Sequence, residues 1–164
     1  MNEIFSRASV RQFEPRPVEK EKVEQLLRAA MAAPSARNQQ PWEFYAVTNR
    51  ETLDALAACS LYALSLKGAP LGIVICCRRN CSRPEYAQID CSAAAENILL
   101  EAVSQGLGAV WLGIAPIEMR MEATAQALNL PEDLYVFAII ACGYPAVEPK
   151  PQDRYDPARV HWLT

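Results

Sequence analysis

The chain has 164 residues, 51% hydrophobic and 21% charged, with a net charge of −3 and a pI near 5.3. That is enough for one domain burying roughly 70% of its unfolded surface, and it excludes a disordered or fibrous chain. The acidic balance argues against general binding to nucleic acid or anionic membranes. No 18-residue apolar run and no signal-peptide pattern is visible, so a cytoplasmic protein is expected.

The first chemical feature is Arg7-Ala8-Ser9-Val10-Arg11, with Arg16 close behind. On a helix, Arg7 and Arg11 would lie one turn apart on the same face. Neighbouring cations repel unless an anion sits between them. The arginines either form a solvated patch, paired with Glu3 and Glu14, or hold a phosphate in bidentate fashion with the Ser9 hydroxyl assisting. From Glu19 to Ala33, Val23, Leu26, Leu27, Ala30 and Met31 recur at helical spacing, and Pro34 ends that helix. Pro34-Ser-Ala-Arg-Asn-Gln-Gln-Pro-Trp42 then reads as a loop stiffened by two prolines. Its amides suit the polar edge of a flat ring, although a turn rich in capping residues is the plainer reading.

Glu43 to Thr48 predicts a strand, Glu51 to about Leu64 a helix, and Leu71 to Cys77 a buried β-branched strand. Gln88 to Gln105 is the second strong helix. Its Ala93–Ala95 cluster permits close helix approach, and apolar residues on both sides suggest a central helix or a subunit interface. Glu96 and Asn97 either set register across a dimer or face water. Gly108 to Ile114 predicts a strand, Ile117 to Leu128 a helix, and Leu134 to Cys142 the most apolar strand. After Gly143, Pro145, Pro149, Pro151 and Pro157 predict an extended arm. Val160, Trp162 and Leu163 near its tip imply a neighbouring surface. Alternating strands and helices define an α/β domain spanning residues 1–164.

Absences narrow the chemistry. The six cysteines complete no zinc pattern, and three of them fall in apolar runs, so reduced thiols are expected. Trp111 occupies the last glycine position of a dinucleotide fingerprint. The Gly108-x4-Gly113 spacing is followed by Ile114 and Ala115 instead of the phosphate-loop lysine and hydroxyl. His161, the single histidine, lies in the proline-rich tail. An enzyme of this composition relies on a cofactor for the difficult step. Cys91 as a nucleophile between Asp90 and Ser92 is a weaker alternative, since no base accompanies it.

Five segments in order resemble the nitroreductase family: Arg7 to Phe13, Pro34 to Trp42, Asp90-Cys-Ser-Ala-Ala-Ala-Glu-Asn97, Gly106 to Gly113, and Gly143-Tyr-Pro145 followed by Asp153-Arg-Tyr-Asp156. Ala8 departs from the pattern, because many members carry a second arginine there. The resemblance implies an α/β (α+β) fold with a mixed central sheet flanked by helices. Its extended C-terminal arm would embrace the partner subunit. It also implies a homodimer with FMN at the subunit interface. NADH or NADPH would donate hydride to flavin N5, and a nitroaromatic, quinone or other small acceptor would then remove it in a ping-pong cycle. A flavoprotein that stores, senses or consumes flavin is the alternative. By the same resemblance, Arg7, Ala8, Ser9 and Arg11 hold the phosphate and ribityl chain, with Arg154 or Lys150 as a further phosphate ligand. Pro34, Ser35, Ala36 and Asn38 of the other subunit line the ring, and Gln40 supports Asn38 or the loop. Trp111 and Leu112 cover the opposite face, and the backbone of Gly113, or its neighbour Ile114, approaches N5.

Overall fold

Four apolar runs pair into a single sheet. The computed structural model describes residues 3–163, with β1 (Trp42–Val47), β2 (Leu71–Arg78), β3 (Gly108–Gly113) and β4 (Leu134–Gly143) in the order β1-β2-β4-β3. Alternate side chains of a strand face opposite sides, so a strand covered on both faces reads as an unbroken apolar run. β2 is such a strand. Leu71, Ile73, Ile75 and Cys77 face a layer formed by α2 (Lys20–Met31) and α4 (Ala87–Ser104). Val74 and Cys76 face α3 (Arg50–Ala58), the tight turn Leu61–Lys67 and α5 (Glu118–Leu128).

The helix-flanked α/β arrangement is as expected, but all four strands pair antiparallel. Among the described residues the parallel component is one bridge, Ser9 to Ala109, where the N-terminal segment runs beside the edge of β3. That edge also overturns the helical placement of Arg7 and Arg11. The first helix, α1, covers only Glu3–Ser6, and the Val10 amide donates to the Ala109 carbonyl at 3.0 Å. Pairing with a strand draws the segment into extended backbone, so its side-chain period becomes two.

Val10 is buried directly over Gly108. An ideal Cβ at Gly108 would stand 2.6 Å from a Val10 methyl, closer than real contacts allow. Gly108→Ala is therefore expected to cost about 1–3 kcal/mol and to push the arginine segment off the sheet edge. Urea unfolding of the variant measures this.

The helical period expected from Glu51 to Leu64 is also interrupted. α3 stops at Ala58, and the Ser60 hydroxyl accepts from the Tyr62 amide at 3.2 Å to start the separate turn Leu61–Lys67. Beyond Pro145 the chain is largely exposed and extended, apart from a short turn at Pro157–Arg159.

The root of this tail is tied to the N-terminal segment. Glu14 N–H donates to the Tyr144 carbonyl, Ala146 N–H to that of Gln12, and the Tyr144 hydroxyl to Glu19 at 2.7 Å. Arg16 stacks 3.8 Å from the Tyr144 ring centroid and pairs with Glu19, so it takes no part in an arginine cluster with Arg7 and Arg11. The Tyr144 hydroxyl, with a backbone amide and Arg16, holds the Glu19 carboxyl at about 2, below its usual 4.5. A depressed carboxylate contributes fully above its ordinary pKa and loses that contribution as pH falls toward about 2. An NMR titration should accordingly find Glu19 still ionised at pH 4.

Candidate cofactor site

Extended backbone from residue 7 to 11 and the proline-stiffened tail together enclose a cleft of about 330 Å³. Its lining is Arg7, Ala8, Ser9 and Arg11 on one side and Lys150, Gln152 and Arg154 on the other. Four cations thus converge on one recess. Arg7 Nε lies 3.7 Å from Glu96 Oε1, and Arg154 Nη2 donates to Gln152 Oε1 at 2.7 Å. Among the described residues no carboxylate comes within 4.0 Å of Arg11, Lys150 or Arg154. Uncompensated positive charge of this kind suits a multiply charged anion such as a phosphate. The carboxylate near Arg7 is Glu96, not Glu3 or Glu14. Asn97 turns inward and donates to the Ala29 carbonyl at 2.9 Å, tying α4 to α2 within one chain.

The loop from Pro34 to Pro41 is held in an unusual backbone path. Arg37, Asn38 and Gln40 adopt φ of 51°, 55° and 47°, the left-handed region that costs most side chains energy. Side chains from elsewhere impose that path. Asp90, buried in the first turn of α4, accepts from the Ala36 amide at 2.9 Å and from Gln39 Nε2 at 2.7 Å. Gln39 Oε1 accepts from the Arg83 amide at 2.7 Å, and Arg78 Nη2 donates to the Gln40 carbonyl at 2.6 Å. Within the loop, Ser35 Oγ accepts from the Gln40 amide at 3.0 Å, and Gln40 Nε2 donates to Asn38 Oδ1 at 2.9 Å. Gln40 therefore supports both Asn38 and the loop. Ser35, Ala36 and Asn38 keep exposed or half-exposed surface, as does Pro34.

Asp90, Gln39 and Arg78, which hold this loop, carry no such role in the sequence motifs. One available signal was a lone aspartate opening an otherwise apolar helix. Arg78, Arg79 and Arg83 are all engaged locally: with Glu43, with the Glu132 carbonyl, and with Glu85. Cys91 is buried, and its contact with Cys77 at 3.2 Å, together with burial, pushes its thiol well above the ordinary range. A protonated, inaccessible thiol is a poor nucleophile.

At the end of β3 the alternation of side chains separates the expected ring-covering residues. Trp111 lies on the α4 side, edge-on to Phe137 with ring centroids 5.5 Å apart. Leu112 points the other way into the second core layer and is 3% exposed. Its side chain is therefore spent on that core layer and offers no exposed apolar surface beside Trp111. Gly113 is exposed, and a Cβ built on it meets nothing within 4 Å.

Fold and cleft thus define an α/β protein with a cationic recess suited to an anionic group such as a phosphate. The family model described as the Nitroreductase family matches residues 4–79 and 59–144. A protein of Methanothermobacter thermautotrophicus, provisionally named NADH dehydrogenase/NAD(P)H nitroreductase, is 41% identical over 159 residues, covering 96% of this chain and 83% of the other. A crystal structure from Clostridium acetobutylicum, provisionally named an NADH oxidase, superposes with a TM-score of 0.94 at 49% identity over 97% of each chain. An FMN-dependent nitroreductase from Clostridium difficile R20291 gives 0.92 at 31% identity, covering 99% of this chain and 98% of that one. The chain belongs to the nitroreductase family.

Proposed function

We propose that the chain is an FMN-dependent NAD(P)H oxidoreductase that works as a homodimer and passes electrons to nitroaromatics, quinones or similar small acceptors in a ping-pong cycle. The observation that carries this is the cleft of four cations, three of them without a carboxylate partner among the described residues. It fits the phosphate of FMN, and the FMN-dependent relative supports that choice. When bound, FMN supplies hydride-accepting chemistry at ring nitrogen N5.

The protein's part is binding and orientation. Arg7, Ser9 and Arg11, with Arg154 and Lys150 from the tail, would hold the phosphate, and the backbone at Ala8 would serve the ribityl chain. Pro34, Ser35, Ala36 and Asn38 are absent from the lining of the cleft, which suits their service to the flavin of a second copy. The exposed tail, with Trp162 at 83% and Leu163 at 98% exposure, would embrace that copy. Trp111 supplies apolar surface, and the Gly113 or Ile114 amide offers a donor where reduction changes the proton count. Six unpaired cysteines suit a reducing compartment, and we place the protein in the cytoplasm.

Because nothing crowds a Cβ at Gly113, the fold itself does not need glycine there. Gly113→Ala is expected to leave stability within about 0.5 kcal/mol while slowing reduction of bound FMN, because the methyl would meet only the ring. Urea melts and anaerobic stopped-flow read the two effects.

The test of the whole reading is the visible spectrum of purified protein, followed by anaerobic mixing with NADH and with NADPH. Bleaching of yellow protein by either donor, and recolouring by a nitroaromatic, is the expected result. Yellow that persists with both donors points to the storage, sensing or flavin-consuming alternative. Folded dimer that stays colourless with added FMN overturns the reading.

A further inference from the structure

We infer that the recess beside Gly113 is an acceptor site selective for planar aromatic molecules that carry both a reducible group and a negative charge, such as nitroaromatic carboxylates. The inference rests on the flavin reading above and names the substrate class of that site.

The turn Leu61–Lys67 and the start of α5 enclose about 540 Å³, within the range of small-molecule sites. Leu61, Tyr62, Leu64 and Met119 form the apolar walls. Leu61, Tyr62 and Met119 are 85%, 73% and 76% exposed, so large apolar groups cluster at the surface. Such clusters mark binding sites. The wall is also firmly held, since Arg50 Nη2 donates to the Leu66 carbonyl at 2.6 Å and Ser60 caps the turn.

Charge then selects the occupant. Lys67 and Arg120 are the charged residues of the lining, and no carboxylate joins them. Glu118 and Glu122, on the same helix as Arg120, turn toward a different recess with Met121 and Tyr135. The Lys67 ammonium has no hydrogen-bond or ion-pair partner among the described residues. Arg120 spends one donor on the Gly113 carbonyl at 3.2 Å and stacks with its Cζ 5.0 Å from the Tyr62 ring centroid. Four further N–H donors remain on a guanidinium so placed. The bond to Gly113 joins this recess to the strand end where the flavin ring is proposed to lie. An aromatic acceptor resting on Tyr62 and the apolar wall would bring an anionic substituent to Arg120 and Lys67.

The test compares 4-nitrobenzoate with neutral nitrobenzene as acceptors and as ligands. Flavin content and its reduction by NADH are recorded first, so that failure of the flavin reading is seen separately. With reduced flavin in place, kcat/KM for the anion is expected to exceed that for the neutral compound by about tenfold or more at low salt. Lys67→Ala and Arg120→Ala should each lower that ratio at least about threefold. Lys67 holds nothing else in place, so it keeps the test informative if Arg120→Ala fails to fold. Calorimetric binding of 4-nitrobenzoate to the protein as purified should show the same dependence on both residues. Equal ratios in wild type and variants, or binding indifferent to charge, would overturn the inference while leaving the flavin reading intact. If Lys67→Ala instead raises the KM for NADH or NADPH alone, the cations serve nucleotide phosphates, and the inference is likewise overturned.

Discussion

Arg11→Ala is expected to weaken FMN binding by about 1.5–3 kcal/mol, which is between roughly tenfold and a hundredfold or more in Kd. The size follows from the loss of a charge-assisted contact to a phosphate in a recess already rich in positive charge. Among the described residues Arg11 has no carboxylate within 4.0 Å, so its removal breaks no ion pair there. Stability of the flavin-free protein should therefore hold while affinity falls. Arg16→Ala is the matched control: it removes a cation five residues away that stacks on Tyr144 and pairs with Glu19. FMN affinity should stay near wild type there. Titration of stripped protein with FMN, followed by flavin fluorescence, decides both cases. Equal affinity for wild type and Arg11→Ala would take Arg11 out of the site.

Asp90→Ala is expected to cost roughly 2–4 kcal/mol of stability and to release the strained loop. Its carboxylate receives two bonds, from the Ala36 amide and the Gln39 side chain, and it is only 5% exposed. Truncation leaves both donors without their acceptor in a place water reaches poorly. With that anchor gone, Arg37, Asn38 and Gln40 have less to hold them at positive φ, so faster amide exchange and easier proteolysis should be confined to residues 35–41. Asp90→Asn keeps one oxygen acceptor and should lose less. If the loop serves the flavin of a second subunit, FMN affinity should drop in both variants in the order of loop exposure. A stable Asp90→Ala protein with an unchanged loop would show that the flanking prolines and the bonds made by Arg78, Arg83 and Ser35 set the backbone path without Asp90.

Much of the fold was legible because the relevant signal is local. Val23, Leu26, Leu27 and Ala30 recur at the helical period, and α2 spans Lys20–Met31 accordingly. The unbroken apolar runs after Pro70 and from Leu134 are the two central strands, buried from both sides. Residues of the N-terminal segment and the tail that the sequence marks as candidates, Arg7, Ser9, Arg11, Lys150 and Arg154, come together around one cleft.

What the residues by themselves determined, then, is which segments hide from water and at what period, since that depends on neighbours three or four positions away at most. Only the folded chain decided that the Arg7–Arg11 segment is extended, because the open edge of β3 lies about a hundred residues further along and competes with local helix formation. The same holds for the loop: Asp90 meets Gln39 across 51 positions and Arg78 reaches Gln40 across 38. Apolar burial is additive and written along the chain, whereas a polar pairing forms only after closure has placed its two halves within bonding distance.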